Sequence, residues 1–374
     1  MGIHEKPHSR QADGCSPGFG YSIVVVGDTP SIASAVIDSL PDELPYVLVG
    51  PKSIAFLRRS KNCQEYVPND LVLDECSKTE FVLTIERLRS TNAKVFVIPV
   101  DDSANRIVYS ISHCLGASTY PIPDSASFEM LNDKRQFHRL CSTLGVRVPK
   151  SVYLRDKAEI DFGSFRAMLG LPFVVKPTNK SNSLGFQVIR SREDLHKHVL
   201  SPRKYDFSPL LAQSFIPGVD VDLSALIDRG RIRKFAIQTR KRDALCFVRN
   251  EELVMFTEII ARKLCYTGVI HLDARLHSAS GEIFMIEANP RFWGSLAEAT
   301  SAGLNFVRAG IYASMGLEGP DPTTISDIRV PSIPRMLTEM LTFKRSYSRL
   351  NTLERLRLQR WMGSRFRAAL RFDL

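Results

Sequence analysis

Cysteine is sparse and unpatterned here: seven residues, at 15, 63, 76, 114, 141, 246 and 265, with no C-x-x-C pair. An odd number without ligand spacing argues against a disulfide frame or a zinc centre and fits buried or free thiols in a reducing cytosol. His196 and His198 have no further ligand nearby in sequence and read as a solvated pair. No apolar run approaches the ~20 residues of a membrane span. The first turn, Gly27-Asp28-Thr29-Pro30, lacks the G-x-G-x-x-G pyrophosphate cradle, which argues against dinucleotide binding. Internal repeats and long low-complexity segments are lacking too. Residues 1–20 contain no hydrophobic core and read as a disordered tail rather than a signal peptide, and Lys6 departs from the myristoylation pattern.

What is present fits an enzyme-sized chain. Its 374 residues allow two to three domains, each with its own core. The apolar runs Ser22–Gly27, Tyr46–Gly50 and Lys94–Pro99 read as strands, and Ser31–Leu40 and Phe81–Arg89 as helices. Strands alternating with helices predict an α/β domain with a parallel, Rossmann-like sheet over residues 21–123.

The most informative stretch is Ile286-Glu287-Ala288-Asn289-Pro290-Arg291. The run Ile283–Ile286 reads as a buried strand that Pro290 ends. Side chains on a strand alternate, so Glu287, Asn289 and Arg291 share a face if the strand runs that far. Carboxylate and amide oxygens suit a hard cation such as Mg²⁺, and a guanidinium beyond them suits a phosphate or carboxylate. Upstream, His271–Leu276 reads as a second strand, and Ser278–Glu282 as the turn between them. A hairpin symmetric about Ser280 sets Asp273 opposite Glu287. Facing carboxylates are unfavourable unless a cation lies between them. Taken singly, Glu287 reads as a solvated strand end and Asp273 as a surface charge. The combination favours a metal–phosphate site.

Other segments supply what such a site needs. Leu171–Pro177 is an apolar strand that ends in Lys176, followed by a small-polar loop, Thr178–Gly185, and a returning strand, Phe186–Ile189. The tip of that hairpin offers N–H groups and hydroxyls to phosphates, and Lys176 a point charge. Leu210–Gly218 runs from a strand into a turn, and Asp220 and Asp222 follow at strand spacing. Asn132-Asp133-Lys134 precedes a helical stretch that ends at Leu144-Gly145.

In this order, over roughly residues 125–315, these segments resemble the ATP-grasp superfamily of carboxylate–amine and carboxylate–thiol ligases, with carbamoyl-phosphate-synthetase-like character. The resemblance implies an α+β module in which two lobes grip ATP between antiparallel sheets. It spans residues 124–318 with a mobile small lobe at about 148–212, preceded by the Rossmann-like domain. It implies that Lys134, Lys176, Ser183 and Gly185 contact the ATP phosphates. The backbone from Gln213 through Ser214 to Phe215 lines the adenine slot, and Asp220 takes the ribose-binding position. Asp273, Glu287 and Asn289 hold Mg²⁺, for which Mn²⁺ can substitute. Lys176 and Arg291 are the catalytic pair, Arg291 facing the transferred phosphate or acyl group. Three departures stand out: a phosphate loop poor in Gly, Ser214 where relatives often have Glu, and Asp273 where they often have Glu.

The implied reaction converts a carboxylate to an acyl phosphate and passes it to an amine or thiol, with ADP and phosphate released. Two other readings are a nucleotide-binding regulatory protein without turnover and a kinase-like or carbamoyl-phosphate-forming enzyme. Small-molecule carboxylates and amines or thiols are the expected partners, a homo-oligomer is compatible, and the expected location is the cytoplasm. From Arg329 to Leu374 the chain carries 11 Lys and Arg against 3 Asp and Glu, most of the total excess of +10. Leu358, Trp361, Met362, Phe366, Ala369 and Leu370 fall on one helical face and Arg360, Arg367 and Arg371 on another. Residues 319–374 therefore read as a basic helical extension. It either docks on the enzyme or meets an anionic surface or carrier; nucleic acid is not expected, because no recognition fold accompanies the charge.

Overall fold

The computed structural model describes residues 21–342 except 42–43, 61, 92–93, 116–118, 181–182 and 202–204, together with 344, 346, 355, 358 and 359. Three sheets organise them. The first is parallel, built from β1 (Tyr21–Val26), β2 (Tyr46–Gly50), β3 (Cys63–Pro68) and β4 (Lys94–Pro99) in the order β3-β2-β1-β4. Both faces are buried, as continuous apolar strands require. Ile23 and Val25 pack with helix α1 (Pro30–Asp38). Val24 and Val26 pack with helices α2 (Glu75–Thr91) and α3 (Asp102–Ser110). Pro30 opens α1, where a missing N–H costs nothing.

The second sheet is small: β5 (Ser151–Leu154), β6 (Phe173–Pro177), β7 (Gln187–Ile189) and β8 (Leu210–Ser214) in the order β5-β8-β6-β7. One face, with Phe173, Val175, Ile189, Leu210 and Ala212, forms a core with Phe165 and Leu169 of the Phe162–Leu169 helix. Period-2 alternation puts Val174, Lys176, Leu211 and Gln213 on the other face.

The third sheet carries β9 (Gly218–Asp228), β10 (Arg231–Lys241), β11 (Ala244–Val248), β12 (Gly268–His277), β13 (Ile283–Asn289), β14 (Thr324–Ile325) and β15 (Ile328–Pro331). Its order is β13-β12-β9-β10-β11-β15, with β14 beside β10. Val221, Leu223, Ala225, Ile270, Leu272, Ala274 and Met285 pack one face against the Lys134–Thr143 and Glu251–Lys263 helices. The residues between them, Asp222, Ser224, His271, Asp273 and Glu287, take the opposite face. Farther along, Leu226 and Val269 join Phe292, Trp293 and the first sheet in one core, so the parallel sheet is fixed beside the third.

The strands expected at 22–27, 46–50 and 94–99 form within a residue of their bounds. The edge strand β3 and the 3₁₀ segment Lys52–Arg59 have no clear sequence pattern, because Cys63–Pro68 is half-exposed for most of its length. Leu358 is buried against Met336 of the Ile333–Leu341 helix, while Arg360, Trp361, Met362, Phe366, Arg367, Ala369, Leu370 and Arg371 lie outside the described residues. Among the described residues no helix is long and apolar enough to cross a membrane.

Gly310, in the Phe306–Ser314 helix between β13 and β14, marks a close approach to the segment that follows the first sheet. A Cβ there would lie 2.1 Å from Cζ of the buried Tyr120, whose hydroxyl donates to the Phe306 carbonyl at 2.7 Å. Gly310→Ala should therefore cost about 1–3 kcal/mol of stability, read as a lower urea midpoint.

Candidate functional site

The third sheet gathers charge on its open face. Near the turn, Leu276 faces Ile283 and Ala274 faces Met285, a register that would bring Asp273 against Ile286. A bulge between Asp273 and Ala274 shifts the pairing by one, so Asp273 faces Glu287. On its other side Asp273 faces Asp222 of β9. Three carboxylates thus lie in a row across β9, β12 and β13. Burial raises the Asp222 carboxyl to about 7 and also raises Glu287, in each case with Asp273 adding to it. Burial pushes Asp273 the same way and is the largest single influence, but His271, Glu287 and Lys176 together outweigh it and Asp273 is held low.

Cations answer this row from both sides. His271 Nε2 lies 3.1 Å from Asp273 Oδ1, and its Nδ1 2.9 Å from the Ser224 hydroxyl. Burial opposes the imidazolium, yet Asp273 and Asp222 raise its affinity for the proton. Asn289 donates from Nδ2 to Asp273 Oδ2 at 3.1 Å. Lys134 Nζ lies 3.0 Å from Glu287 Oε2 and donates to the Lys180 carbonyl at 2.6 Å. Its place follows from Asp133, whose carboxylate caps the next helix through the Gln136 N–H and leaves Lys134 first in that helix. The Lys134 N–H, otherwise an orphan, donates to the Thr178 carbonyl two residues beyond Lys176. Lys176 is buried, not half-exposed as a strand end implies. Burial lowers its ammonium to about 8, and Lys134 contributes, while Glu287 and Asp273 hold it up. Two buried lysines from outside the third sheet therefore converge on its carboxylates.

Arg291, expected to face the transferred phosphate or acyl group, is held by protein partners. It is 8% exposed, with Nε 3.2 Å from Asp102 Oδ2 and its other nitrogens donating to Asn289 Oδ1 and the Phe292 carbonyl. Asp102 opens α3, just past the carboxyl end of β4. Its Oδ1 is buried without a hydrogen-bond partner among the described residues. The adjacent Asp101 accepts from the N–H groups of Asp28 and Thr29, at 2.7 and 2.8 Å, and ties the turns after β1 and β4 together. In open parallel sheets, the crevice between strands whose connections diverge binds ligands.

Burial and Asp28 raise the Asp101 carboxyl from 3.8 to about 6, against the pull of the N–H donors. Between those values the folded chain holds a proton that the unfolded chain releases. Asp101 therefore favours folding most at low pH, and that contribution is lost as pH rises through about 6. The stability advantage of wild type over Asp101→Asn should shrink between pH 4.5 and 7. Denaturant titrations at both pH values check this; a gap that ignores pH counts against it.

The remaining expected nucleotide residues lie on the small sheet, its loop and the residue past β8, except Asp220, which is on β9 of the third sheet. Gln213 is buried and donates to the Ser151 hydroxyl at 3.0 Å; Ser214 donates to the Leu169 carbonyl. Asp220 pairs with Arg275 at 2.5 Å, and Arg275 also lies over the Phe215 ring. Ser183 and Gly185 both take positive φ in a turn that exposes Leu184 and Phe186. A Cβ on Gly185 would meet the Phe207 ring at 2.9 Å, so glycine is required there despite the loop's polar composition. The residues not foreseen are Asp222, His271, Ser224 and the buried pair Gln238–Ser295, 2.7 Å apart. Asp222, Ser224, His271 and Gln238 occupy alternate positions on the charged face, where only strand pairing brings them together, and Ser295 reaches it from the start of the Leu296–Ser301 helix.

The family model described as ATP-grasp in the biosynthetic pathway with Ter operon matches residues 206–336. Over that segment the chain carries an ATP-grasp module. The chain is 27% identical over 208 residues to the D-alanine–D-alanine ligase of Corynebacterium efficiens, covering 55% of this chain and 54% of that one. Among solved structures it resembles the ADP complex of purK, an N5-carboxyaminoimidazole ribonucleotide synthetase, with a TM-score of 0.64. That match has 14% identity and covers 87% of this chain and 84% of the other. The biotin carboxylase domain of Hydrogenobacter thermophilus 2-oxoglutarate carboxylase, crystallised with MgADP, ADP and bicarbonate, aligns with a TM-score of 0.62 at 15% identity. It covers 82% of this chain and 72% of that one. The chain spans about half or less of the length of the curated relatives it matches.

Proposed function

We propose that the protein is an ATP- and Mg²⁺-dependent ligase that activates a carboxylate as an acyl phosphate and joins it to an amine, releasing ADP and phosphate. The observation that carries this reading is Lys134 and Lys176 converging on Asp273, Glu287 and Asn289. In this reading residues 21–123 form a Rossmann-like domain, residues 124–318 the ATP-grasp unit, and residues 319–374 an extension; the small sheet is the lobe that closes.

The donor set fits a hard cation. Facing carboxylates are stabilised by a divalent ion, and Asp273, Glu287 and Asn289 supply oxygen ligands. Asn289 would hold the ion through Oδ1, giving up the hydrogen bond that Oδ1 accepts from Arg291 and the one that Nδ2 donates to Asp273. The ion would supply charge neutralisation at the transferred phosphoryl group. Lys134 exchanges Glu287 for a phosphate oxygen, and Lys176 becomes fully charged beside it. The Thr178 hydroxyl, buried and unpartnered among the described residues, gains an acceptor there. Gln213 to Phe215 line the adenine slot and Asp220 the ribose. The exposed Leu184 and Phe186 pack over the nucleotide when Ser183–Phe186 closes, which excludes water from the acyl phosphate.

Arg291, held by Asp102, orients the acyl phosphate and stabilises the oxyanion that forms when the amine attacks. The crevice past β1 and β4, lined by Asp28 and Asp102, receives the acceptor. The D-alanine–D-alanine ligase likeness supports an amine over a thiol. The test is an ADP-release screen of carboxylic acids against amines, amino acids and thiols with Mg²⁺. Release that needs a carboxylate and accelerates with an amine is expected; carboxylate-independent release, or none with any pair, overturns the reading.

A further inference from the structure

Asp273 presents its two oxygens to different neighbours. Oδ2 accepts from Asn289, on the side of Glu287 and β13. Oδ1 lies 3.1 Å from His271 Nε2, on the side of Asp222 and β9. Asp222, His271 and Asp273 each offer a ligand atom, and these atoms lie within 4.8 Å of one another. We propose that these three side chains form a second divalent-cation site, sharing Asp273 with the Mg²⁺ position and taking a borderline transition ion such as Mn²⁺, Fe²⁺ or Zn²⁺.

The donor chemistry separates the two positions. Glu287 and Asn289 give oxygen only, which suits Mg²⁺. His271 adds an imidazole nitrogen, which suits first-row transition ions. The imidazole is also supported as a ligand is. When Nδ1–H donates to the Ser224 hydroxyl, 2.9 Å away, Nε2 turns its lone pair towards Asp273 and Asp222. The ring stacks on the buried Trp293, with 5.6 Å between centroids and 11° between planes. Rotation out of the site is thereby hindered. Nε2 and Oδ1 already lie 3.1 Å apart, so an ion bound to both displaces any proton between them.

All three ligands come from the protein, on adjacent strands whose register sets Asp222 against Asp273. This ion therefore needs no nucleotide, in contrast to a cation delivered with ATP phosphates. The inference takes from the proposed ligase reading only the identity of its neighbour, and the experiment tells the two apart.

Mn²⁺ is titrated into the full-length, chelator-stripped protein without nucleotide, and free Mn²⁺ is followed by electron paramagnetic resonance. One ion per chain should bind, and its spin echo should carry ¹⁴N modulation from an imidazole. His271→Ala should weaken binding at least tenfold and abolish the modulation, whereas Glu287→Gln should retain both. A non-hydrolysable ATP analogue should then recruit a second Mn²⁺ in the wild type but not in Glu287→Gln. Binding without ¹⁴N modulation in the wild type overturns the inference even if the alanine variant fails to fold. So does binding that appears only with nucleotide. If the first ion binds and the analogue adds none, the ATP reading fails and this site stands.

Discussion

Lys176→Met should weaken ATP binding about 30-fold, measured by calorimetry, and leave the melting temperature of the free protein unchanged or slightly higher. The first half follows from losing one charge-assisted phosphate contact, worth about 2 kcal/mol. The second follows from burial, which already lowers the Lys176 ammonium to about 8 in the free protein. A cation held below its ordinary value is one the fold would sooner have neutral. Methionine keeps the length and apolar stem of the side chain and removes that strain, as well as the repulsion from Lys134. An alanine would confuse the result by leaving a cavity under the small sheet. Unchanged nucleotide affinity in Lys176→Met would remove Lys176 from the phosphate site. A large fall in melting temperature would mean that its attraction to the Glu287 and Asp273 carboxylates outweighs its desolvation.

How far the site was legible depended on which contacts are local. Lys176, Glu287 and Asn289 stand near strand ends marked by short apolar runs and a following proline, and alternation alone puts Glu287 and Asn289 on one face. Asp133 and Lys134 were legible as a helix start for the same local reason. The opposition of Asp273 and Glu287 was reached by counting outward from Ser280, but the hairpin achieves it through a bulge. Bulges leave little trace in a single sequence, because the extra residue, here Ile286, only continues the apolar run before it. Asp222 and His271 were visible as residues but not as a site. Their meeting depends on pairing β9 with β12, and the chain between them first runs through β10, β11 and the Glu251–Lys263 helix. The Arg291–Asp102 pair spans 189 positions and two sheets, and nothing local announces it. The burial of Lys176 is not local either: a terminal strand lysine usually reaches solvent, whereas here Lys134 and the third sheet close over it.

Glu287→Gln should cut turnover on the order of a hundredfold or more, while the metal-free protein melts no lower than wild type. The stability half rests on the carboxylate row. Burial and Asp273 hold the Glu287 carboxyl above its ordinary value despite Lys134 and Lys176. The fold therefore binds a proton at Glu287 more tightly than the unfolded chain does, and it accepts a neutral amide of the same shape. Lys134 loses one partner but keeps the Lys180 carbonyl at 2.6 Å. The activity half rests on the opposite need. With a cation and phosphates in place, the charge of Glu287 becomes favourable, and glutamine offers one neutral oxygen where the carboxylate offered two. Ligand linkage separates the two effects in one measurement. Wild type should gain melting temperature on addition of Mg²⁺ with a non-hydrolysable nucleotide, and Glu287→Gln should gain much less, although both start from similar values. Equal gains would show that Glu287 does not hold the cation. A variant that melts far below wild type before any ligand is added would show that its bond to Lys134 is structural, not a counterion waiting to be exchanged.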